Sequence, residues 1–173
     1  MDIYTLIDFY VNEKTSIKRL EEIVEAYRDL LNRMSFKSSA KKKREIAKTI
    51  KNILIEIEKR KKITTSYRKI IEAYIGSFEE KDITEVLRLI EEKINLLDQP
   101  IQLTEGDLEE MKHRGHFADM ADMRSLLLIK PSLIPDEYQE KRRYLTSLLV
   151  RQEAYQEIKE IIELHHKKTT MKP

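Results

Sequence analysis

The stretch from Ala40 to Ile75 contains neither glycine nor proline, and this sets the strongest constraint on how the chain can fold. Apolar side chains recur through it every three or four residues, at Ile46, Ile50, Ile53, Ile57, Ile63, Tyr67, Ile70, Ile71 and Tyr74. This spacing keeps one face of a helix apolar and predicts a single helix roughly 50 Å long. The apolar pattern is interrupted once, by the basic residues 59–62. A helix of this length favours a helical assembly over an α/β enzyme built around a pocket.

The composition supports an all-α fold. Only three Gly and four Pro occur in 173 residues, which is few for a protein made of strands and tight turns. We therefore predict an elongated bundle of long amphipathic helices, about seven in number. The predicted helices run from Asp2 to about Asn12, from Thr15 or Ser16 to Met34, from Ser38 or Ser39 to Ile75, from Asp82 to Leu97, from Thr104 to Gly115, from Phe117 to Leu127, and from Asp136 to His165.

Two segments near the C-terminus shape the expected domain organisation. Pro131 and Pro135 disfavour helix in the residues that precede them, so residues 131–135 are predicted to form an extended hinge. We expect a helical domain over residues 1–130 and a long helix over 136–166 that the hinge could make detachable. Residues 167–173 have few apolar side chains to pack and are predicted to be a disordered tail.

Charge and residue usage exclude several classes of function. Lys and Arg number 33 against 31 Asp and Glu, so the net charge of +2 does not by itself indicate a nucleic-acid-binding protein. The absence of cysteine excludes disulfides and thiolate chemistry and fits a cytoplasmic protein. Richness in Lys, Glu and Ile is typical of thermophiles. No apolar run is long enough to span a membrane, and the N-terminal residues do not resemble a signal peptide.

The sequence offers little support for catalysis or metal binding. A histidine and carboxylate group suited to zinc or iron occurs at His113, His116, Asp119 and Asp122. Gly115 interrupts this group, and we favour surface or capping roles for these side chains over metal binding. There is no nucleophile elbow and no glycine-rich phosphate loop. We therefore expect no catalytic residue, no metal, no cofactor and no small-molecule substrate.

Basic clusters are the most suggestive charged feature. The first comprises Lys41, Lys42, Lys43 and Arg44, at the start of a helix, where the helix dipole disfavours cations. The second includes Lys59 and Arg60. These side chains could contact phosphate or an acidic partner, or form a solvated face balanced by nearby Glu residues. Because no aromatic residue is interleaved with them, sequence-specific reading of nucleic acid is not expected.

Three segments resemble subunits of the GINS replication complex, in the archaeal class whose helical domain comes first. Residues 6–14, Leu-Ile-Asp-Phe-Tyr-Val-Asn-Glu-Lys, resemble the first helix of that class. Residues 50–63, which end in Lys-Arg-Lys-Lys-Ile, are similar to its central helix, and Leu103-Thr104-Glu105-Gly106-Asp107-Leu108 is similar to the start of a later helix. Together they fall within residues 1–120. The chain departs from the family over 121–173, which is predicted to be helical where the family has a small β-rich domain.

The resemblance implies a non-catalytic structural subunit of a hetero-oligomer that bridges the MCM helicase and a RecJ-like protein by helix packing, with weak DNA contact at most. The apolar stripes also carry more apolar surface than one small bundle readily buries, so parts of them are predicted to form partner interfaces. The candidate interface residues are Ile50, Ile57, Tyr67, Tyr74, Leu145, Leu148 and Tyr155. The alternative is a small helical nucleic-acid-binding subunit of a larger ribonucleoprotein or DNA-processing complex that uses the basic clusters.

Overall fold

The computed structural model of the protein describes residues 2–34, 40–114 and 136–170. Every regular element in these ranges is an α-helix, which confirms the predicted all-α class. The described residues form four helices rather than the larger number predicted. They are α1 (Ile3–Arg33), α2 (Ala40–Ile75), α3 (Glu80–Arg114) and α4 (Asp136–Thr170).

The prediction of about seven helices was wrong because two expected breaks do not occur. Thr15 and Ser16 were expected to cap a second helix, but their hydroxyls donate to the carbonyls of Val11 and Asn12, each at 2.9 Å, inside a continuous α1. This bonding to the preceding turn lets a hydroxyl residue lie within a helix. Pro100 was expected to stop a helix, yet α3 continues through it.

Three other predictions fall wholly or partly outside the described ranges. The sixth predicted helix and the hinge at residues 131–135 lie outside them entirely. At the C-terminus, α4 continues past the predicted end at His165 to Thr170, so the segment predicted to be a disordered tail is helical as far as that residue.

The remaining helix boundaries follow local chemistry that the sequence indicates. Asp2 caps α1: its carboxylate accepts hydrogen bonds from the Thr5 amide at 2.8 Å and from the Thr5 hydroxyl at 3.0 Å. At the same end of the α1–α2 pair, α2 ends at Ile75, directly before Gly76. The amide and the hydroxyl of Ser77 then both donate to the Tyr74 carbonyl, which turns the chain towards α3. The connection between the two halves of the protein is therefore short.

The helices form two antiparallel hairpins, α1–α2 and α3–α4, that join at one end. Arg60 of α2 pairs with Glu13 of α1, and Lys159 of α4 pairs with Glu91 of α3, which shows how the helices of each hairpin are aligned. Where the hairpins join, all four helices contribute to one core, called here the four-helix core. Its buried members are Ile3, Leu6, Ile7, Tyr10, Val11, Ile71, Ile75, Ile83, Val86, Ile90, Ala154, Tyr155, Ile158, Ile161 and Ile162.

Away from the four-helix core, each hairpin has a small core of its own. In the first hairpin, Ile17 and Val24 of α1 pack against Ile46, Ile50 and Ile57 of α2. In the second hairpin, Leu108 of α3 packs against Tyr138 of α4. Both cores are made by only two helices, so burial is most extensive where the hairpins join and thinner towards their far ends.

Candidate interaction surfaces

Two tyrosine-centred polar groups tie the hairpins together beside the four-helix core. On one side, the Tyr155 hydroxyl of α4 donates to Asp8 of α1 at 2.8 Å, and the same carboxylate pairs with Lys93 of α3. The Lys93 ammonium also lies 5.4 Å from the centre of the Tyr155 ring. Burial raises the pKa of Tyr155, and its hydrogen bond to Asp8 raises it further.

The second group joins a tyrosine and a lysine of α1 to a carboxylate of α4. The Tyr10 hydroxyl of α1 is hydrogen-bonded to Glu157 of α4, and Lys14 pairs with the same carboxylate at 2.7 Å. Burial raises the pKa of Tyr10 well above its usual range. Burial also disfavours the charged form of Glu157, but the contacts with Lys14 and Tyr10 outweigh it and leave the pKa below its ordinary value. In the described residues, no buried side-chain polar atom lacks a partner.

An inter-hairpin groove runs between α1 and α4 beyond these polar groups. It encloses about 680 Å³ and extends along α1 from Thr15 to Ala26, roughly 16 Å or three helical turns. Five of its twelve side chains are Ser, Thr or Ala, four are charged, and the others are Ile23, Tyr144 and Val150. The groove is lined by Thr15, Ser16, Lys18, Arg19, Glu22, Ile23, Ala26, Arg143, Tyr144, Thr146, Ser147 and Val150.

Two outward-facing stripes of large apolar side chains lie elsewhere on the surface. One is on α3, where Leu96 and Leu103 are 74% and 62% exposed. The other is on α2, where Ile63, Ile70 and Tyr74 are all exposed. The sequence analysis did not single out the α3 stripe. The sequence pattern that could have identified it is a set of leucines seven residues apart, each directly before a core position.

The predicted interface residues fall into three groups in the structure: buried, half-buried and exposed. Ile50, Ile57, Leu148 and Tyr155 are buried within the chain itself, so they do not form an exposed face. Half-buried Leu145 packs on the core of the second hairpin, and half-buried Tyr67 stacks on Phe9 with ring centres 5.9 Å apart. Of the predicted set, Tyr74 is the residue on the exposed α2 stripe.

The structure separates the predicted basic residues by their surroundings. Lys41, Lys42 and Arg44 are exposed at the start of α2, and Lys43 is half-buried. Lys59 is exposed, whereas Arg60 forms ion pairs with Glu13 and Glu56, each at 3.0 Å. Arg60 therefore links the two helices of the first hairpin, while Lys41, Lys42, Arg44 and Lys59 present charge to solvent.

The predicted metal group is not assembled in the described part of the chain. His113 is exposed near the end of α3, and His116, Asp119 and Asp122 lie outside the described residues. Among the residues that the structure describes, no group of three His, Asp or Glu side chains could hold a metal ion. Nor does any described helix have an apolar window long enough to cross a membrane.

Comparison with known proteins adds no relative to this description. No protein-family model matches the chain, and neither does any curated protein or solved structure. The resemblance to GINS subunits therefore depends on the three segments quoted above.

Proposed function

We propose that the protein is a non-catalytic structural subunit that binds a helix of a protein partner in the inter-hairpin groove. The observation that carries the proposal is the shape of this groove, which follows α1 for about three turns and α4 for about two. Recognition of a helix in a groove uses anchors spaced over this length.

The groove's small side chains would let a partner helix approach closely. The hydroxyls of Thr15, Ser16 and Thr146 already donate to carbonyls of their own helices, at 2.9, 2.9 and 3.1 Å. They can therefore face a partner without leaving a donor unsatisfied. Ile23 and Val150 supply apolar contacts on opposite sides. Helices pack 8–10 Å apart depending on the side chains between them, and short side chains favour the lower end.

The charge of the groove indicates the character of the partner. Lys18 and Arg19 from α1 and Arg143 from α4 line it, against a single carboxylate, Glu22. An amphipathic helix with acidic residues at its edges would complement this balance. Acidic substitutions at the groove should correspondingly slow association.

The finer form of the proposal is a subunit of a GINS-like replication complex that bridges the MCM helicase and a RecJ-like protein in the cytoplasm. Its support is the resemblance of the three segments within residues 1–120. In this form the groove would receive a helix of a neighbouring subunit or of one bridged protein.

A matched pair of variants tests the groove. Ala26→Phe places a large side chain in it, whereas Ala47→Phe makes the same change on an exposed part of α2 outside it. Both variants should retain the helical circular dichroism of the wild type. Affinity purification from the native organism, followed by mass spectrometry, should recover partners with the wild type and Ala47→Phe but not with Ala26→Phe.

The identity of the recovered proteins tests the finer proposal separately. Recovery of MCM and RecJ-like proteins, reproduced with purified components, would support the replication role. Recovery of unrelated proteins that still depend on the groove would retain the structural role and reject the replication one. If Ala26→Phe recovers the same proteins as the wild type, the groove is not the binding site.

A nucleic-acid-binding subunit is the second candidate, and the exposed Lys41, Lys42 and Arg44 are the observation that favours it. If these residues bind phosphates, affinity should fall with salt with a log–log slope of about −0.9 per neutralised phosphate on duplex DNA, or about −0.7 on single strands. Replacing them and Lys43 by Ala should weaken binding to every sequence alike. Sub-micromolar binding at physiological salt that this variant loses, with partner assembly intact, would favour the second candidate.

A further inference from the structure

We propose that the outer face of α2 binds double-stranded nucleic acid through its phosphate backbone. Because α2 is one unbroken helix, basic residues that are far apart in sequence lie on the same side of it. They form a single file, called here the basic row, which consists of Lys41, Arg44, Lys48, Lys51, Lys59, Lys62 and Lys69. This inference deepens the second candidate function and does not depend on the inter-hairpin groove, which lies between α1 and α4.

The basic row occupies a narrow sector of the helix surface, opposite the core. At about 100° per residue, its members fall within about 80° of the helix circumference and follow the axis for about 42 Å. The other positions of this sector between Lys41 and Lys69 are Ile55 and Ser66, so the sector contains no carboxylate there. The centre of the row lies about 170° around the helix from the mean direction of the buried positions. Those positions are Ile46, Ile50, Ile57, Thr64, Ile71 and Ile75.

The charge of the basic row is not balanced by the chain itself. All seven side chains are exposed, and none forms an ion pair within the described ranges. In contrast, Arg60, Lys61 and Arg68 lie outside the row's sector of α2 and pair with carboxylates of their own chain. The carboxylates of α2 nearest to the row in angle are the exposed Glu45 and Glu58. Subtracting these two from the seven basic residues leaves five positive charges on this face.

The length and chemistry of the basic row match a duplex. A straight file of cations complements a rod-shaped polyanion, and duplex DNA carries one negative charge per about 1.7 Å of its axis. A row of about 42 Å corresponds to about 12 base pairs, slightly more than one turn of the duplex. Six of the seven members are lysines, which contact phosphate as point charges and lack the planar fork with which arginine reads guanine. Binding should therefore be independent of base sequence.

Two other polyanions match the basic row less closely than a duplex does. Proteins that bind single strands combine positive charge with aromatic side chains on which bases stack, and the sector between Lys41 and Lys69 contains no aromatic residue. An anionic membrane is a broad, flat surface, so it would also meet Glu45 and Glu58 on the two sides of the row. A cylindrical duplex touches a helix along a narrow strip, and the row supplies positive charge along such a strip.

Two triple variants of equal charge test the basic row. The row variant carries Lys59→Gln, Lys62→Gln and Lys69→Gln. The control variant carries Arg28→Gln, Lys81→Gln and Arg143→Gln, at exposed positions of α1, α3 and α4. Both changes take the net charge from +2 to −1, so a difference between the variants reports the position of the charges and not their number. Both variants should keep the circular dichroism of the wild type, because the substituted positions are exposed and glutamine favours helix.

Fluorescence anisotropy at salt concentrations from about 50 to 200 mM measures the binding. The ligands are a labelled DNA duplex of about 24 base pairs, twice the expected footprint, an RNA duplex of the same sequence and each single strand. The wild type and the control variant should bind the two duplexes with similar affinity and the single strands more weakly. For the row variant, the log–log slope with salt should be smaller in magnitude by about 3, and affinity at about 0.1 M salt should fall roughly 100-fold or more.

Several outcomes would overturn the proposal. They are the absence of duplex binding by the wild type at low salt, tighter binding to single strands, a strong preference for one of the two duplexes, and equal losses in the row and control variants. Binding of the wild type to phosphatidylserine vesicles but not to duplexes would assign the row to a membrane instead.

A second row variant separates this inference from the second candidate function. It carries Lys41→Gln, Arg44→Gln and Lys48→Gln, and it should weaken duplex binding about as much as the first row variant. If it alone weakens binding, the cluster at the start of α2 binds nucleic acid and the continuous row does not. Ala26→Phe should bind duplexes like the wild type, so failure of the groove and failure of the row are distinguishable.

Discussion

Truncating Ile158 tests whether the two hairpins share one core. The side chain of Ile158 is fully buried among residues from all four helices. Ile158→Ala removes three carbon atoms, which at about 0.8 kcal/mol each lowers the free energy of unfolding by about 2.4 kcal/mol. A residual void of about 50 Å³ would add about 1.2 kcal/mol at about 24 cal/mol per Å³. We therefore expect a loss of about 3 to 4 kcal/mol.

Urea denaturation followed by far-UV circular dichroism measures this loss. Ile55→Ala is the matched control, because Ile55 is 48% exposed on α2 and its truncation should change the free energy of unfolding by less than about 0.5 kcal/mol. In both variants the free energy of unfolding should fall with urea concentration with the same slope as in the wild type. A loss below about 1 kcal/mol for Ile158→Ala, or similar losses for the two variants, would refute the shared core.

Three further predictions address the polar contacts, the proline and the thin ends of the hairpins. Since the pKa of Glu157 lies below its ordinary value of 4.5, its stabilising contribution is present above that pH and is lost as the pH falls through the folded-state pKa. Glu157→Gln should lower the free energy of unfolding by about 0.5 to 1 kcal/mol at neutral pH. It should also make the fall of that free energy with decreasing pH less steep. Pro100→Ala should raise the free energy of unfolding by about 1 to 3 kcal/mol in urea titrations, because proline inside a helix removes a hydrogen-bond donor and clashes with the preceding turn. In hydrogen exchange followed by mass spectrometry, amides near Ile71 should exchange only on global unfolding, whereas those near Ile46 should exchange faster, since one neighbouring helix covers them. Equal protection at Ile46 and Ile71, an unchanged acid profile for Glu157→Gln, or destabilisation by Pro100→Ala would contradict the respective prediction.

Periodicity predicted the fold where helix-forming residues and packing agree. The stretch from Ala40 to Ile75 is one helix with the expected ends. The sequence was misleading where a residue type has two roles. Thr15 is compatible with a cap or a helix interior, and tertiary packing on both sides selects the interior. Pro100 is unfavourable locally, but the core contacts of Ile101 and Leu97 maintain the helix across it.

Local pattern could not reveal which apolar faces remain exposed. The stripe through Ile50, Ile57 and Tyr74 was identified from spacing, yet two of these side chains are buried by α1. Spacing shows that a face is apolar but does not show which helix covers it. The inter-hairpin groove was missed for the same reason, because its residues come from two helices more than a hundred positions apart in sequence.

Packing is most extensive in the four-helix core, so a change in the angle between the hairpins there would displace their far ends. From Ile71 of the four-helix core to Ala40, α2 extends about 46 Å. A change of about 10° in the angle between the hairpins would shift that end by about 8 Å, given this helical rise. The width of the groove is therefore governed at a distance, by contacts such as Asp8 with Lys93 and Lys14 with Glu157. Small rearrangements of these contacts would open or narrow the inter-hairpin groove that a partner helix would enter.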